Sequence, residues 1–218
     1  QGLERVGDKL LAQSDQQAGG LIFDVASGLI TAEIGGFAVK WVGGKWVNAG
    51  NGAEGPGQFV VRSDNDFSAT VNGNGKPKAY INESGDLVPP NINGTGSVQT
   101  HVRGGNSENS PYISVTDPNA TSNPKIYGTD KIEIDVKRLQ KDIDSGALPD
   151  TKFLTNQQVT AELQSKVDAA RERYARNPSE NNSDSLINAE RDLGNAKRDG
   201  ECLIMGCVPA DYIKRVKE

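Results

Sequence analysis

The chain places two carboxylates two residues apart in Asp199-Gly200-Glu201, directly before an apolar run. Because residues i and i+2 of an extended segment point to the same side of the backbone, Asp199 and Glu201 are predicted to lie where both can reach one ligand. A solvated acidic turn before a buried strand has the same sequence pattern. The pair by itself does not decide between these two interpretations.

A second candidate is the arginine in Val102-Arg103-Gly104-Gly105. A guanidinium can hold a diphosphate through two parallel hydrogen bonds, and glycines let a ligand approach the backbone closely. The residues before it, Ser97 to Arg103, are predicted to form a strand, so that Arg103 stands at a strand end. An ordinary surface arginine before a turn is the alternative.

The third candidate is the segment from Ser110 to Thr116, which is rich in β-branched and aromatic residues. Side chains alternate across a strand, so Ser114 and Thr116 are predicted on one face, with Ile113 and Val115 on the other. Two hydroxyl groups that face a pocket can orient polar partners. A half-buried strand with a polar outer face has the same pattern.

In this order, the three segments resemble the cholera toxin and heat-labile enterotoxin group of mono-ADP-ribosyltransferases. That group carries an early arginine, then Tyr-Val-Ser-Thr-Ser, then Glu-x-Glu followed by apolar residues, Gly-Gly-Ile-Pro and a closing isoleucine. This chain has Arg103, then Tyr112-Ile113-Ser114-Val115-Thr116, then Asp199-Gly200-Glu201, Gly206-Cys207-Val208-Pro209 and Ile213. The glycine, the Val-Pro pair and the closing isoleucine keep the group's spacing from the glutamate. The resemblance covers residues 98 to 216.

The resemblance implies a role for each candidate. Glu201 would be the catalytic glutamate, which stabilises the positive charge that develops on the nicotinamide ribose, as a carboxylate does in glycoside cleavage. Arg103 would hold the phosphates of NAD, and Ser114 would brace the site. Asp199 would engage the acceptor, although it is shorter than the residue that the group has there. Further contacts with NAD are expected from Gly104, Thr116 and His101.

His101 offers a second register, because a related branch of the superfamily has histidine where this group has arginine. In that register Arg103 would flank the site. The Val-Arg-Gly-Gly segment favours Arg103, since it resembles the aromatic-Arg-Gly turn of the arginine type.

The elements around these motifs predict an α+β fold. Lys131 to Val136 alternates as a strand, and Glu201 begins another. Between them, Thr155 can cap a helix to about Arg176, and a second helix follows from Asp184 to about Lys197. The resemblance implies an ADP-ribosyltransferase-like split β-sandwich with flanking helices, preceded by a small glycine-rich N-terminal domain.

The composition changes at Pro89-Pro90-Asn91-Ile92-Asn93-Gly94, which is predicted to be a linker. Residues 1–90 are predicted to be a glycine-rich leader for delivery or entry, and residues 91–218 the toxin domain. In the leader, Leu3 to Gln17 is predicted to be an amphipathic helix, and Leu21 to Val39 short packed helices. A fragment that starts near Asn91 is therefore expected to fold alone.

Composition limits the function. The net charge of −5 and pI near 5.1 argue against nonspecific nucleic-acid binding, which needs a basic stripe. One histidine and two cysteines are too few for a His-rich or four-ligand zinc site, so no metal is expected. Charged residues and glycines interrupt the apolar stretch from Ala18 to Val42, which makes it a poor membrane span.

The resemblance implies an NAD-dependent enzyme that transfers ADP-ribose to a macromolecule, protein or nucleic acid, or hydrolyses NAD. A chain that starts at Gln1 without Met, with a leader before the enzyme, suggests the tip of a larger secreted bacterial toxin of the contact-dependent inhibition or Rhs type. Such a toxin would act in the target-cell cytoplasm, touch a membrane transiently during delivery and have a cognate immunity protein. The alternatives are a toxin ribonuclease, built on Arg103, His101 and Glu201, and a non-catalytic binding module.

Overall fold

The computed structural model describes residues 23–24, 29–34, 37–42 and 45–48, and then residues 58–104, 107–122, 124 and 126–216. It divides the chain into two compact units, Gln1–Gly55 and Pro56–Glu218. The predicted helix from Leu3 to Gln17 lies outside the described residues, as does Gly105. In the described part of the chain, no helix is both long and apolar enough to cross a membrane.

The described part of the first unit is an antiparallel meander in which each strand pairs with the next. Its strands are β1 (Phe23–Asp24), β2 (Leu29–Ile34), β3 (Phe37–Val42) and β4 (Lys45–Asn48). The prediction of short helices over Leu21 to Val39 is therefore wrong. The glycine pairs at 35–36 and 43–44 are typical of hairpin connections, and the segments between them are rich in β-branched and aromatic residues.

The second unit is built on a six-stranded sheet in which all neighbouring strands are antiparallel. In chain order its strands are β5 (Phe59–Asp64), β8 (Tyr112–Thr116), β9 (Asp130–Asp135), β10 (Lys152–Leu154), β11 (Glu201–Met205) and β12 (Ile213–Val216). Their spatial order is β10-β11-β8-β5-β9-β12. A two-stranded hairpin, β6 (Tyr80–Ile81) and β7 (Leu87–Val88), lies beside the sheet.

Strand β5 changes the predicted domain boundary. It lies inside the sheet, paired with β9 from Phe59 to Asp64 and with β8 at Val61. Leu87 is fully buried and bridges to Val208, near the end of the chain. Residues 56–90, which were predicted to be leader, thus supply part of the core of the second unit. The structure places the boundary at 55/56 rather than at 90/91.

The described part of the second unit contains four α-helices: α1 (Val98–Arg103), α2 (Val136–Asp144), α3 (Asn156–Arg176) and α4 (Glu180–Arg198). The prediction of α3 is confirmed, with Thr155 in a capping box and its apolar stripe buried. The prediction of α4 is also confirmed, although the helix begins earlier, after its N-cap Ser179. Helix α2 and strand β10 were not predicted.

Helix α1 occupies the segment that was predicted to be a strand before Arg103. The Ser97 side chain accepts a hydrogen bond from Thr100 N at 3.2 Å, which caps the helix. Gly104, with φ of 77°, ends it and donates its N–H to the His101 carbonyl. These two end signals outweigh the β-branched residues between them.

Both faces of the sheet are covered. One core joins sheet residues such as Ile113 and Ile134 to Leu139 of α2 and to Leu87. The other lies between the sheet and helices α1, α3 and α4, around Leu163 and Leu203. The protein is thus an α+β protein, 39% helical and 23% strand, with an antiparallel sheet.

Candidate functional site

Ser114 and Glu201 meet on the face of the sheet that α1, α3 and α4 cover. Their strands, β8 and β11, are adjacent, and Glu201 stands opposite Thr116, one diagonal step from Ser114. The Ser114 hydroxyl donates a hydrogen bond to Glu201 Oε1 at 2.8 Å. The predicted alternation of β8 is confirmed, since Ile113 and Val115 are buried on the opposite face.

Helix α1 adds His101 to this pair. Its Nε2 lies 2.8 Å from Ser114 Oγ, and its Nδ1 lies 2.5 Å from Ser110 Oγ. Because the Ser114 proton goes to Glu201, Nε2 must carry the proton shared with Ser114, and Nδ1 accepts from Ser110. The result is a one-directional chain of hydrogen bonds from Ser110 through His101 and Ser114 to Glu201.

Arg62, on β5, is a member of the site that was not predicted. Its Nη1 donates to the Ser114 carbonyl at 2.9 Å, and its Nη2 pairs with Asp64 Oδ2 at 3.3 Å. The side chain is only 15% exposed, and its Nε has no hydrogen-bond partner among the described residues. Lys78 also contacts Asp64, so this carboxylate neutralises part of the local positive charge.

Burial controls the titration of the site. It lowers the pKa of His101 to about 4, with a further contribution from the nearby Arg62 charge. Burial also raises the pKa of Glu201, against the opposing effect of the Ser114 hydrogen bond. The pKa of Arg62 is lowered, again mainly by burial. A neutral histidine agrees with the hydrogen-bond directions described above.

Arg103 lies elsewhere than the prediction placed it. It is in the last turn of α1, where its Nε and Nη2 donate to Asp192 Oδ2 on α4, at 3.1 and 2.7 Å. Asp192 is fully buried and also accepts from Gln99 Nε2. Arg103 therefore fastens α1 to α4, whereas its neighbours His101 and Gly104 line the cavity.

Asp199 and Glu201 both line the cavity. The extended backbone predicted for the pair is not found, because Asp199 is the C-cap of α4 and has a helical conformation. Gly200 between them has φ of 56°, and a Cβ there would lie 2.8 Å from the Asp117 carbonyl oxygen. The Asp199 carboxylate is paired with Arg198 at 2.7 Å through both oxygens.

These residues surround a cavity of about 1080 Å³ that opens to solvent. Its wall contains Arg62, His101, Ser114, Thr116, Asp199 and Glu201. The exposed side chains of Val71, Ile126 and Tyr127 also line it. Among the residues that the structure describes, no group of three or more His, Cys, Asp or Glu side chains is placed to hold a metal ion.

The sequence did carry a signal for Arg62. The segment Phe59-Val60-Val61-Arg62-Ser63-Asp64 is a hydrophobic run that ends in an arginine with an aspartate two residues later. The prediction of residues 1–90 as a leader separates Arg62 from the later motifs.

No protein-family model, curated protein or solved structure matches this chain.

Proposed function

We propose that residues 56–218 form an NAD-dependent ADP-ribosyltransferase-like enzyme. In this proposal it breaks the bond between nicotinamide and ribose and passes ADP-ribose to a macromolecule or to water. The observation that carries the proposal is the Glu201 carboxylate, held by Ser114 in the wall of a large cavity with the guanidinium of Arg62 beside it.

Each side chain has a task in this reaction. Loss of nicotinamide leaves positive charge on the ribose carbon, and a partly desolvated carboxylate such as Glu201 stabilises that charge strongly. Ser114, backed by His101, fixes the orientation of the carboxylate. Arg62 places a cation in the cavity wall, which suits a diphosphate. In this assignment Arg62 replaces Arg103 as the phosphate ligand.

We also propose that the second unit is a split β-sandwich of the ADP-ribosyltransferase type. A split β-sandwich has two half-sheets that separate near the centre, with the ligand bound where they part. In support, β5 and β8 share the single pair Val61 and Thr116, whereas β5 pairs with β9 along its whole length. The candidate site lies beside this weak junction.

The test is release of nicotinamide from NAD by the full chain and by two variants. Glu201→Gln removes the charge but keeps the shape, and we expect it to lower turnover at least about a hundredfold. Glu133→Gln is the matched control, because Glu133 lies on β9, outside the cavity, in a partly exposed pair with Lys214. Wild-type turnover by Glu201→Gln, or none by the wild type, would overturn the proposal. The absence of turnover in the wild type would leave the ribonuclease and the binding module as the competing functions.

We further propose that the chain acts within a secreted toxin whose N-terminal residues serve delivery, with a macromolecular target in the recipient cytoplasm and a cognate immunity protein. The resemblance and the order of the two units support this setting. Co-purification of the full chain with the product of a neighbouring gene would test the immunity partner.

A further inference from the structure

The second carboxylate of the cavity is already occupied by an arginine of the same chain. Arg198 Nε lies 2.7 Å from Asp199 Oδ1, and Arg198 Nη2 lies 2.7 Å from Asp199 Oδ2, a two-pronged pair. Nη1 of the same guanidinium donates to Asn195 Oδ1 at 3.1 Å, and the backbone carbonyl of Arg198 accepts from the Thr121 hydroxyl. Three hydrogen bonds thus hold the guanidinium, two to Asp199 and one to Asn195.

The exposure of the pair tells which of its members an incoming molecule meets. The Asp199 side chain is 13% exposed, whereas that of Arg198 is 49% exposed. Both residues line the same cavity as Glu201. A molecule that enters from solvent therefore contacts the guanidinium before it contacts the carboxylate.

The remaining carboxylates of the cavity wall are occupied as well. Asp64 binds Arg62 and Lys78, and Asp66 accepts from the hydroxyl and the N–H of Ser68. Among the described residues, each aspartate of the cavity wall therefore already has a partner within the chain.

From this arrangement we infer that the acceptor of ADP-ribose is an uncharged hydroxyl, that of water or of a macromolecule, and not the cationic side chain of a protein. The inference rests on the proposed function. A guanidinium or ammonium acceptor would meet the exposed guanidinium of Arg198, and a carboxylate acceptor would meet the carboxylate of Glu201. A hydroxyl can accept from an Arg198 N–H while it donates to a carboxylate oxygen.

The reaction balances without a further reactant. The bond from C1′ of the ribose to the nicotinamide nitrogen breaks, and its electron pair leaves with nicotinamide, which departs neutral. The hydroxyl oxygen then forms a bond to C1′, and its proton passes to bulk water. With water as the acceptor the products are ADP-ribose, nicotinamide and a proton.

The experiment offers three nucleophiles to the full chain with NAD and identifies the products by mass spectrometry. The probes are water alone, methanol as a small hydroxyl and agmatine as a free guanidinium. We expect ADP-ribose, with methyl ADP-ribose when methanol is present, and ADP-ribosyl agmatine only as a minor product. Arg198→Gln uncovers Asp199, and we expect it to raise the ratio of agmatine product to ADP-ribose by roughly fivefold or more. Arg171→Gln, in an ion pair on α3 away from the cavity, is the matched control and should leave that ratio at the wild-type value.

The outcomes separate the inference from the function on which it rests. Agmatine product from the wild-type chain, at a rate similar to hydrolysis, would overturn the inference while nicotinamide release upheld the proposed function. An unchanged ratio in Arg198→Gln would overturn the role of the ion pair. No nicotinamide release with any probe would overturn the proposed function and the inference with it. A macromolecular hydroxyl as the natural acceptor would appear as label from NAD bonded to oxygen in a protein or nucleic acid of the target cell, whereas water leaves all label in ADP-ribose. Label on the nitrogen of a cationic side chain would overturn the inference.

Discussion

The pKa of His101 is the most direct physical test of the site, because the chain contains one histidine. Its ring protons therefore give a single, unambiguous set of NMR signals that can be followed as the pH is lowered. Burial and the Arg62 charge lower its pKa from 6.5 to about 4. We expect the signals to titrate near that lower value in the folded protein.

The same shift predicts how stability depends on pH. The unfolded chain binds a proton at His101 below about pH 6.5, whereas the folded protein does so only near about pH 4, so acid favours unfolding. The contribution of neutral His101 to the free energy of unfolding is fully present above pH 6.5 and is lost as the pH falls toward about 4. The full shift corresponds to about 3 kcal/mol, of which about 2 kcal/mol is lost by about pH 5.

Urea unfolding of the wild type and of His101→Gln, each at about pH 7 and about pH 5, isolates this contribution. Glu201 has a raised pKa and acts in the opposite direction, since its contribution is lost as pH rises, but it is present in both proteins. On acidification we expect the free energy of unfolding of the wild type to fall by about 2 kcal/mol more than that of the variant. Equal losses, or an NMR pKa near 6.5, would refute the buried neutral histidine and the hydrogen-bond directions inferred from it.

Three further predictions address the other parts of the structure. Arg62→Lys keeps the charge but loses the planar guanidinium and should weaken NAD binding about tenfold, whereas Arg103→Lys should change NAD binding less than about threefold. Calorimetric titration compares the two variants, and the reverse order would return the phosphate contact to Arg103. Gly200→Ala should destabilise the protein by roughly 2 kcal/mol or more in urea unfolding, because a Cβ on a backbone with φ of 56° would lie 2.8 Å from the Asp117 carbonyl oxygen. An unchanged midpoint of urea unfolding would contradict that close approach. Residues 56–218 should fold alone, with a cooperative thermal transition by circular dichroism, whereas residues 91–218 should not, because they lack β5. A cooperative transition in the shorter fragment would contradict the boundary at 55/56.

Local signals were sufficient for much of the second unit. Its β-branched and aromatic residues predicted β8, and strict alternation predicted β9. A cap followed by a helical stripe predicted α3. Each of these patterns is complete within its own segment. The first unit was predicted less well. Its strands are apolar and glycine-punctuated, and a short apolar run does not by itself distinguish a strand from a buried helix.

The site was predicted only in part, for a reason that concerns long-range pairing. Ser114, Glu201 and His101 were named from the sequence, and the structure brings them together. Arg62 was missed because its strand is far from the other motifs in the chain and joins them only through pairing with β8 and β9. Nothing local in the sequence indicates that a strand near residue 60 enters the sheet between two later ones.

The two long helices between β10 and β11 link the two sides of the site. Asn156 Nδ2, at the start of α3, lies 3.1 Å from both the Ala196 and the Glu201 carbonyl oxygens, which ties the end of α4 to the start of β11. Asp192, on α4, holds Arg103 and with it α1, the helix that carries His101. The orientation of His101 relative to Glu201 thus depends on α4, which is tied both to the helix of His101 and to the start of the strand of Glu201. Because a carboxylate stabilises a developing charge only when it is held in place, these helices belong to the machinery that positions Glu201.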